Sequence, residues 1–201
     1  KFNNNTKIAL IDDMKNAYHI TQPIITKTDE EAYKTVFSDS IMLNVSRGCT
    51  RGCRFCMSSY LYRPLRETKI EELVNIALKT RENTNLNKIT LIGAAVGDYY
   101  DLEGLTKALE SEGFQIATPS LRIDSLSRET LETLKKSGLK SITIAPESIS
   151  TLRERINKSI SDEKIFSVIK NAVDLDFNIK LYFLIGIPYE SKEDIEELAN
   201  Y

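Results

Sequence analysis

From residue 40 onward, short runs of β-branched and apolar residues alternate with longer amphipathic stretches, which is the pattern of repeated βα units around a parallel sheet. Five runs read as strands: Ile41 to Val45, Lys88 to Ile92, Gln115 to Thr118, Ser141 to Ala145 and Ile179 to Ile185. They show little polar alternation, as expected of strands covered on both faces. Between them, Ile70, Leu73, Val74, Ala77 and Leu78 recur at helical spacing behind a capping box of Thr68 and Glu71. Leu102, Leu105 and Leu109 follow Asp101 as N-cap and stop at Gly113, with Gly104 as a weak point inside the helix. Ser127 opens a third helix that ends at Gly138, with Lys135 and Lys136 complementing the negative helix end. Ser161 opens a fourth through Ile165, Val168, Ile169 and Ala172, and Ser191 with Asp194 opens a fifth.

The first 38 residues depart from this alternation. Ile8 to Ile11 reads as a short strand and the rest as turns or exposed connection, so residues 1–38 are expected to be a linker or the remnant of an upstream domain, partly wrapped on a core of residues 39–201. The chain starts at Lys1 and closes within a helical pattern, which suggests an excerpt of a longer protein.

At 201 residues the chain buries a core without needing cross-links. A hydrophobic fraction of 41% and a charged fraction of 28% exclude disordered and membrane classes, and a net charge of -2 gives no general case for nucleic-acid binding. No apolar run is long enough to span a bilayer, and a cytoplasmic location is expected. The cysteine count agrees, because three cysteines within eight residues are too crowded for a disulfide framework and fit a reducing compartment.

Those cysteines, Cys49, Cys53 and Cys56, lie directly after the first strand in Ser46-Arg47-Gly48-Cys49-Thr50-Arg51-Gly52-Cys53-Arg54-Phe55-Cys56. The glycines permit a tight loop that brings three thiolates together. Three thiolates on a four-iron four-sulfur cluster leave one iron open to a substrate or cofactor, whereas a closed electron-transfer cluster takes a fourth cysteine. There is none, and the sole histidine, His19, lies in the N-terminal segment. Two other readings are a non-catalytic iron-sulfur module for electron transfer or sensing, and a zinc-stabilised interaction domain.

The spacing Cys49-x-x-x-Cys53-x-Phe55-Cys56, with its aromatic residue before the last cysteine, resembles the signature of the radical S-adenosylmethionine superfamily. The resemblance implies an α/β fold: a partial (β/α) barrel with about six βα units, of which five fall here and the sixth lies beyond Tyr201. It also implies an enzyme whose cofactors are a 4Fe-4S cluster, with Cys49, Cys53 and Cys56 as ligands, and S-adenosyl-L-methionine. Cleavage of the sulfonium would give methionine and a 5'-deoxyadenosyl radical, with the electron from an external donor. Tyr62-Arg63-Pro64, Pro119-Ser120-Leu121-Arg122 and Ile144-Ala145-Pro146-Glu147 are similar to cobalamin-domain-associated and methylthiotransferase-like members. That implies methyl or methylthio transfer, with cobalamin held by a domain outside this chain. The substrate, small or macromolecular, is unidentified, and no membrane partner is expected.

Ligand sites of parallel βα folds lie at the carboxyl ends of the strands. There, Gly93, Ala94, Gly97 and Asp98 resemble the segment whose backbone receives the methionyl amino group, or form an ordinary turn. Ser120 and Arg122 follow the third strand, with Arg122 either an anion clamp or a partner of Asp124 or Glu147. Glu147 either accepts from ribose hydroxyls or the cofactor's amino group, or caps the next helix. Of Arg153 and Arg155, one is expected to reach the cofactor carboxylate. Gly186 and Ile187 resemble the adenine-contacting segment, or simply lie where a strand ends at Pro188.

Overall fold

The computed structural model describes residues 11–23, 37 and 39–201. Strand β1 (Ile41–Asn44) is followed by two short strands, β2 (Ser46–Arg47) and β3 (Arg66–Glu67), that pair antiparallel and bracket the cysteine loop. Then come β4 (Lys88–Ile92), β5 (Gln115–Ala117), β6 (Ser141–Glu147) and β7 (Asn178–Phe183). All five predicted strands are present. β1, β4 and β5 pair in parallel, with Leu43 opposite Leu91 and Ile89 opposite Ile116. β6 and β7 pair in parallel, with Ile142 opposite Ile179, and a single bridge from Leu121 to Ile144 joins the two groups. The neighbour order β1-β4-β5-β6-β7 is that of an open parallel half-barrel.

The long helices are α2 (Ile70–Thr84), α3 (Leu102–Ser111), α4 (Arg128–Lys136), α6 (Asp162–Asp174) and α7 (Lys192–Ala199). Their apolar stripes meet the sheet: Leu73, Leu105, Leu109, Leu131, Leu134 and Ile165 are all fully buried against Leu43, Ile89, Leu91 and Ile144. Asp101 caps α3 through the Gly104 N–H at 2.8 Å. A Cβ at Gly104 would meet that capping carboxylate, so Asp101 would have to shift to accept a larger residue there. Ser127 caps α4 through Thr130 N–H at 3.0 Å, and Ser191 with Asp194 completes a capping box on α7. Ser127→Ala is expected to lower stability by about 1 kcal/mol without changing the fold, read as a small drop in unfolding midpoint.

Three expectations are corrected. Thr68 and Glu71 form no capping box: Lys69 is the N-cap of α2. Thr68 is buried instead, its hydroxyl donating to Asn44 O and its carbonyl accepting from Tyr99 O–H at 2.5 Å, so it ties the helix entry to β1. β7 is not covered on both faces; Tyr182 is 57% exposed and Leu181 and Phe183 are 39% exposed, because this strand ends the sheet among the described residues. Two short helices, α1 (Ser58–Leu61) and α5 (Ser150–Arg155), were not foreseen. In the N-terminal segment, residues 14–16 form a 3-10 turn capped by Asp13, and Thr21 O and Ile11 O accept from Asn83 and Arg66 of the core. Of the predicted strand Ile8 to Ile11, residues 8–10 lie outside the described residues.

Candidate metal and cofactor site

The cysteine loop is held in place by contacts from both its sides. Gly48 has φ +93°, and a Cβ there would meet the carbonyl oxygens of Tyr62 and, at 2.6 Å, Pro64, so only glycine fits at the loop's entry. Across the barrel mouth, the turn after α5 reaches over: Asn157 Nδ2 donates to Gly52 O at 2.9 Å and Arg51 O at 3.2 Å, and Arg54 N–H donates to Ile156 O at 2.9 Å. The loop thus bridges the first and fourth βα units.

Cys49, Cys53 and Cys56 are free thiols, the first two buried and the third half-buried, and all three line one cavity of about 240 Å³ at the carboxyl ends of the strands. Each sulfur faces N–H donors. Arg51 N–H lies 3.5 Å from Cys49 Sγ and Arg122 Nη1 3.9 Å from Cys53 Sγ. At Cys56 burial pushes the thiol up, but the N–H groups of Ser58 and Ser59 at the start of α1 more than offset it and hold the thiol below its ordinary value. Donors aimed at sulfur suit thiolate ligands.

The donor set fits a cubic cluster better than a single ion. Among the described residues, no three histidine, cysteine or carboxylate side chains stand close enough together to hold a single metal ion, although the three cysteines share one cavity. Three thiolates would each hold a different iron of a four-iron cluster and leave the fourth iron open to a further ligand. His19 does not join them; its ring contacts Met14 O within the N-terminal segment.

The same cavity is lined by Phe55, Ala94, Gly97, Ser120, Arg122 and Glu147, all singled out from the sequence. Arg122 is mostly engaged with Asp124, at 3.0 and 2.9 Å, as its structural alternative required. Glu147 does not cap α5, whose N-cap is Ile149. It follows a register shift in β6, has φ +71°, and pairs with Lys158 Nζ at 2.5 Å, both side chains being about nine-tenths buried. Such a left-handed, non-glycine residue is uncommon and is held by its surroundings.

The other predicted contacts fall elsewhere. Gly93 backs onto Ser46, and Asp98 is taken up by Arg51 in a two-bond pair at 2.8 and 2.5 Å. Arg153 does not line the cavity: its guanidinium is fully buried and donates to Ser148 O, Ile160 O and Asp162, as a charge removed from water must. Arg155 donates to Tyr189 O. Gly186, at φ +92°, turns the chain after β7 and sends Ile187 into a small apolar cluster with Ile149, Leu152 and Ile156, away from the cavity.

Sequence reasoning missed Arg51, Ser59 and Lys158, which also line the cavity. Arg51 stood inside the cysteine motif, where a charged residue between ligands was a usable signal. Together, Arg51, Asp98, Arg122 and Asp124 form a closed box of alternating charge beside the loop, with Arg51 also 3.1 Å from Asp124. Burial pushes the Asp124 carboxyl up, yet the two guanidinium groups hold it below the usual range. Its contribution to stability is therefore complete above the ordinary carboxylate value and fades only as pH falls through the depressed one.

A parallel half-barrel with three cysteine thiols lining one cavity at its mouth defines an α/β protein with a candidate ligand site at the strand ends. The chain belongs to the Radical SAM superfamily, whose family model matches residues 43–201. It is 40% identical over 184 residues to an uncharacterised protein of Methanocaldococcus jannaschii, covering 89% of this chain and 39% of that protein. It is 29% identical over 176 residues to the cytidylyl-2-hydroxyethylphosphonate methyltransferase of Streptomyces wedmorensis, covering 83% of this chain and 33% of the relative. Among solved structures, the radical S-adenosylmethionine methyltransferase TsrM of Kitasatospora setae, with cobalamin and a [4Fe-4S] cluster bound, superposes with a TM-score of 0.66 at 10% identity, over 79% of this chain and 31% of that one. The chain spans two fifths or less of the length of these relatives. No helix among the described residues is long and apolar enough to cross a membrane.

Proposed function

We propose that this chain is the core of an enzyme that binds a four-iron cluster through Cys49, Cys53 and Cys56 and reductively cleaves S-adenosylmethionine. The observation that carries the reading is the convergence of all three thiols, Arg122 and the buried Glu147–Lys158 pair on one cavity. When bound, the cluster supplies the electron that splits the sulfonium into methionine and a 5'-deoxyadenosyl radical. The protein's own part is binding, orientation and exclusion of water. Glu147 offers a carboxylate to an ammonium or to ribose hydroxyls, and Lys158 offers a cation to the methionyl carboxylate. The backbone at Ala94 and Gly97 and the hydroxyl of Ser120 supply further polar contacts, and Phe55 forms an apolar wall at the mouth.

Membership of the superfamily and the methyltransferase relative favour methyl transfer as the reaction, with methylthio transfer as the other class. Cobalamin, which the solved neighbour binds, would here come from a segment outside this chain. The electron donor is external, and free thiols at an open site favour a reducing compartment such as the cytoplasm.

The test is anaerobic reconstitution with iron and sulfide followed by dithionite and S-adenosylmethionine. Methionine and 5'-deoxyadenosine should appear together. A fully loaded cluster that yields neither product would reduce the reading to an electron-transfer or sensing module.

A further inference from the structure

A second and larger cavity, of about 660 Å³, adjoins the cysteine cavity, and Ala94 lines both. Its walls are β2, α1 and the segment leading into β3, and they carry three arginines, Arg47, Arg63 and Arg66. Among the described residues no carboxylate lines it. Arg66 is fixed in place by donating to Pro64 O, Ile11 O and Tyr62 O at 3.0 to 3.3 Å, neutral acceptors, and it pairs with no carboxylate among the described residues. Arg63 reaches only Thr50 O, at 3.5 Å, and Arg47 bonds to no described residue. Three positive charges around one hollow make a strong case for an anionic occupant.

The hollow also contains a feature that surface arginines alone would not give. Ser46 is one of the lining residues and is 3% exposed, and its buried hydroxyl oxygen has no hydrogen-bond partner among the described residues. A buried hydroxyl without a partner is costly, and a water or a ligand completes it in a native protein. Gly93 stands behind it: a Cβ there would come within 2.8 Å of Ser46 Oγ, so the absent side chain keeps the hydroxyl's space open. This accounts for Gly93 differently from the backbone role expected of it.

We infer that this cavity binds a phosphorylated small molecule, its phosphate held by Arg47, Arg63 and Ser46 Oγ and its organic body lying against Tyr62. Donors arranged along several walls suit a tetrahedral dianion, which accepts from many directions, better than a planar carboxylate with two oxygens. The inference rests on the reading above for one point only: if the cysteine cavity cleaves S-adenosylmethionine, the molecule next door is the one acted on.

The test uses the whole chain without cluster and phenyl phosphate as probe, followed by calorimetry, with inorganic phosphate and benzoate as parallel arms. Phenyl phosphate should bind saturably, more tightly than either of the others, and less tightly as salt rises. Arg47→Gln and Ser46→Ala should each weaken it, the first by about 10- to 100-fold as expected for a lost charge-assisted bond. Arg128→Gln, on the outer face of α4 and paired with Glu132, serves as control and should change nothing. Absence of saturable binding to the folded wild-type chain, unchanged affinity in Arg47→Gln, or benzoate binding as well as phenyl phosphate would each overturn the inference. Cys49→Ala separates the two ideas: it should lose the cluster and keep phenyl phosphate binding. A wild-type chain that binds phenyl phosphate but never takes up a cluster would sink the proposed function and leave the anion site standing.

Discussion

Replacing Cys53 by alanine is expected to abolish reductive cleavage of S-adenosylmethionine while leaving the protein folded. In the proposed function Cys53 is one of three ligands, and even partners that merely orient a metal ligand are worth about 10- to 100-fold, so losing a ligand should lower cleavage by more than about 100-fold. Cys49→Ala and Cys56→Ala should behave alike, because no fourth cysteine exists to replace them and His19 is engaged elsewhere. Iron and sulfide content, visible absorbance and product formation should fall together. The unfolding midpoint should barely move, since the loop is fastened by Gly48, Asn157 and Arg54 rather than by the thiols. A variant that unfolds along with losing its metal would instead describe a structural metal site, of the kind that contributes folding energy outright.

The separation of fold from metal follows from how each is encoded. The sheet and its five long helices were legible because their signals are local and periodic: Leu105 and Leu109 lie one helical turn apart behind Asp101, and the caps at Ser127 and Ser191 are where the sequence puts them. The cysteine loop was legible for a different reason, three rare residues at a fixed spacing. What escaped was non-local. α5 is six residues long, too short to display a period, yet its far end supplies the Asn157 clamp on a loop 105 residues earlier. Lys158 pairs with Glu147 across a whole helix and carries no sequence cue. Arg153 and Arg122 show why residue type alone misleads. Both are arginines near a strand end, but Arg122 faces the cavity and Arg153, on α5, is sealed in by its need for its three acceptors, Ser148 O, Ile160 O and Asp162. Thr68 failed as a cap because the fold used its hydroxyl and carbonyl to fasten β1 to α2.

Lys158→Met should be the most destabilising of the substitutions considered at this site. Lys158 and Glu147 are each about nine-tenths buried and joined at 2.5 Å, so removing the cation leaves a mostly buried carboxylate without its partner. Breaking a buried pair in this way costs about 3–5 kcal/mol, which for a chain of this size is a fall of roughly 6–20 °C in unfolding midpoint. The double variant Glu147→Gln, Lys158→Met leaves no uncompensated charge and should recover most of that loss, because two well-packed neutral side chains often serve stability as well as a buried ion pair. If stability were the pair's purpose, the double variant would be a near-equal protein. We expect otherwise: with its midpoint restored, it should still bind S-adenosylmethionine about 10- to 100-fold more weakly, since both charge-assisted contacts to the amino acid end are gone. Equilibrium binding measured beside thermal unfolding separates the two roles. Restored stability with unchanged affinity would make Glu147 and Lys158 a structural pair that only happens to face the cavity.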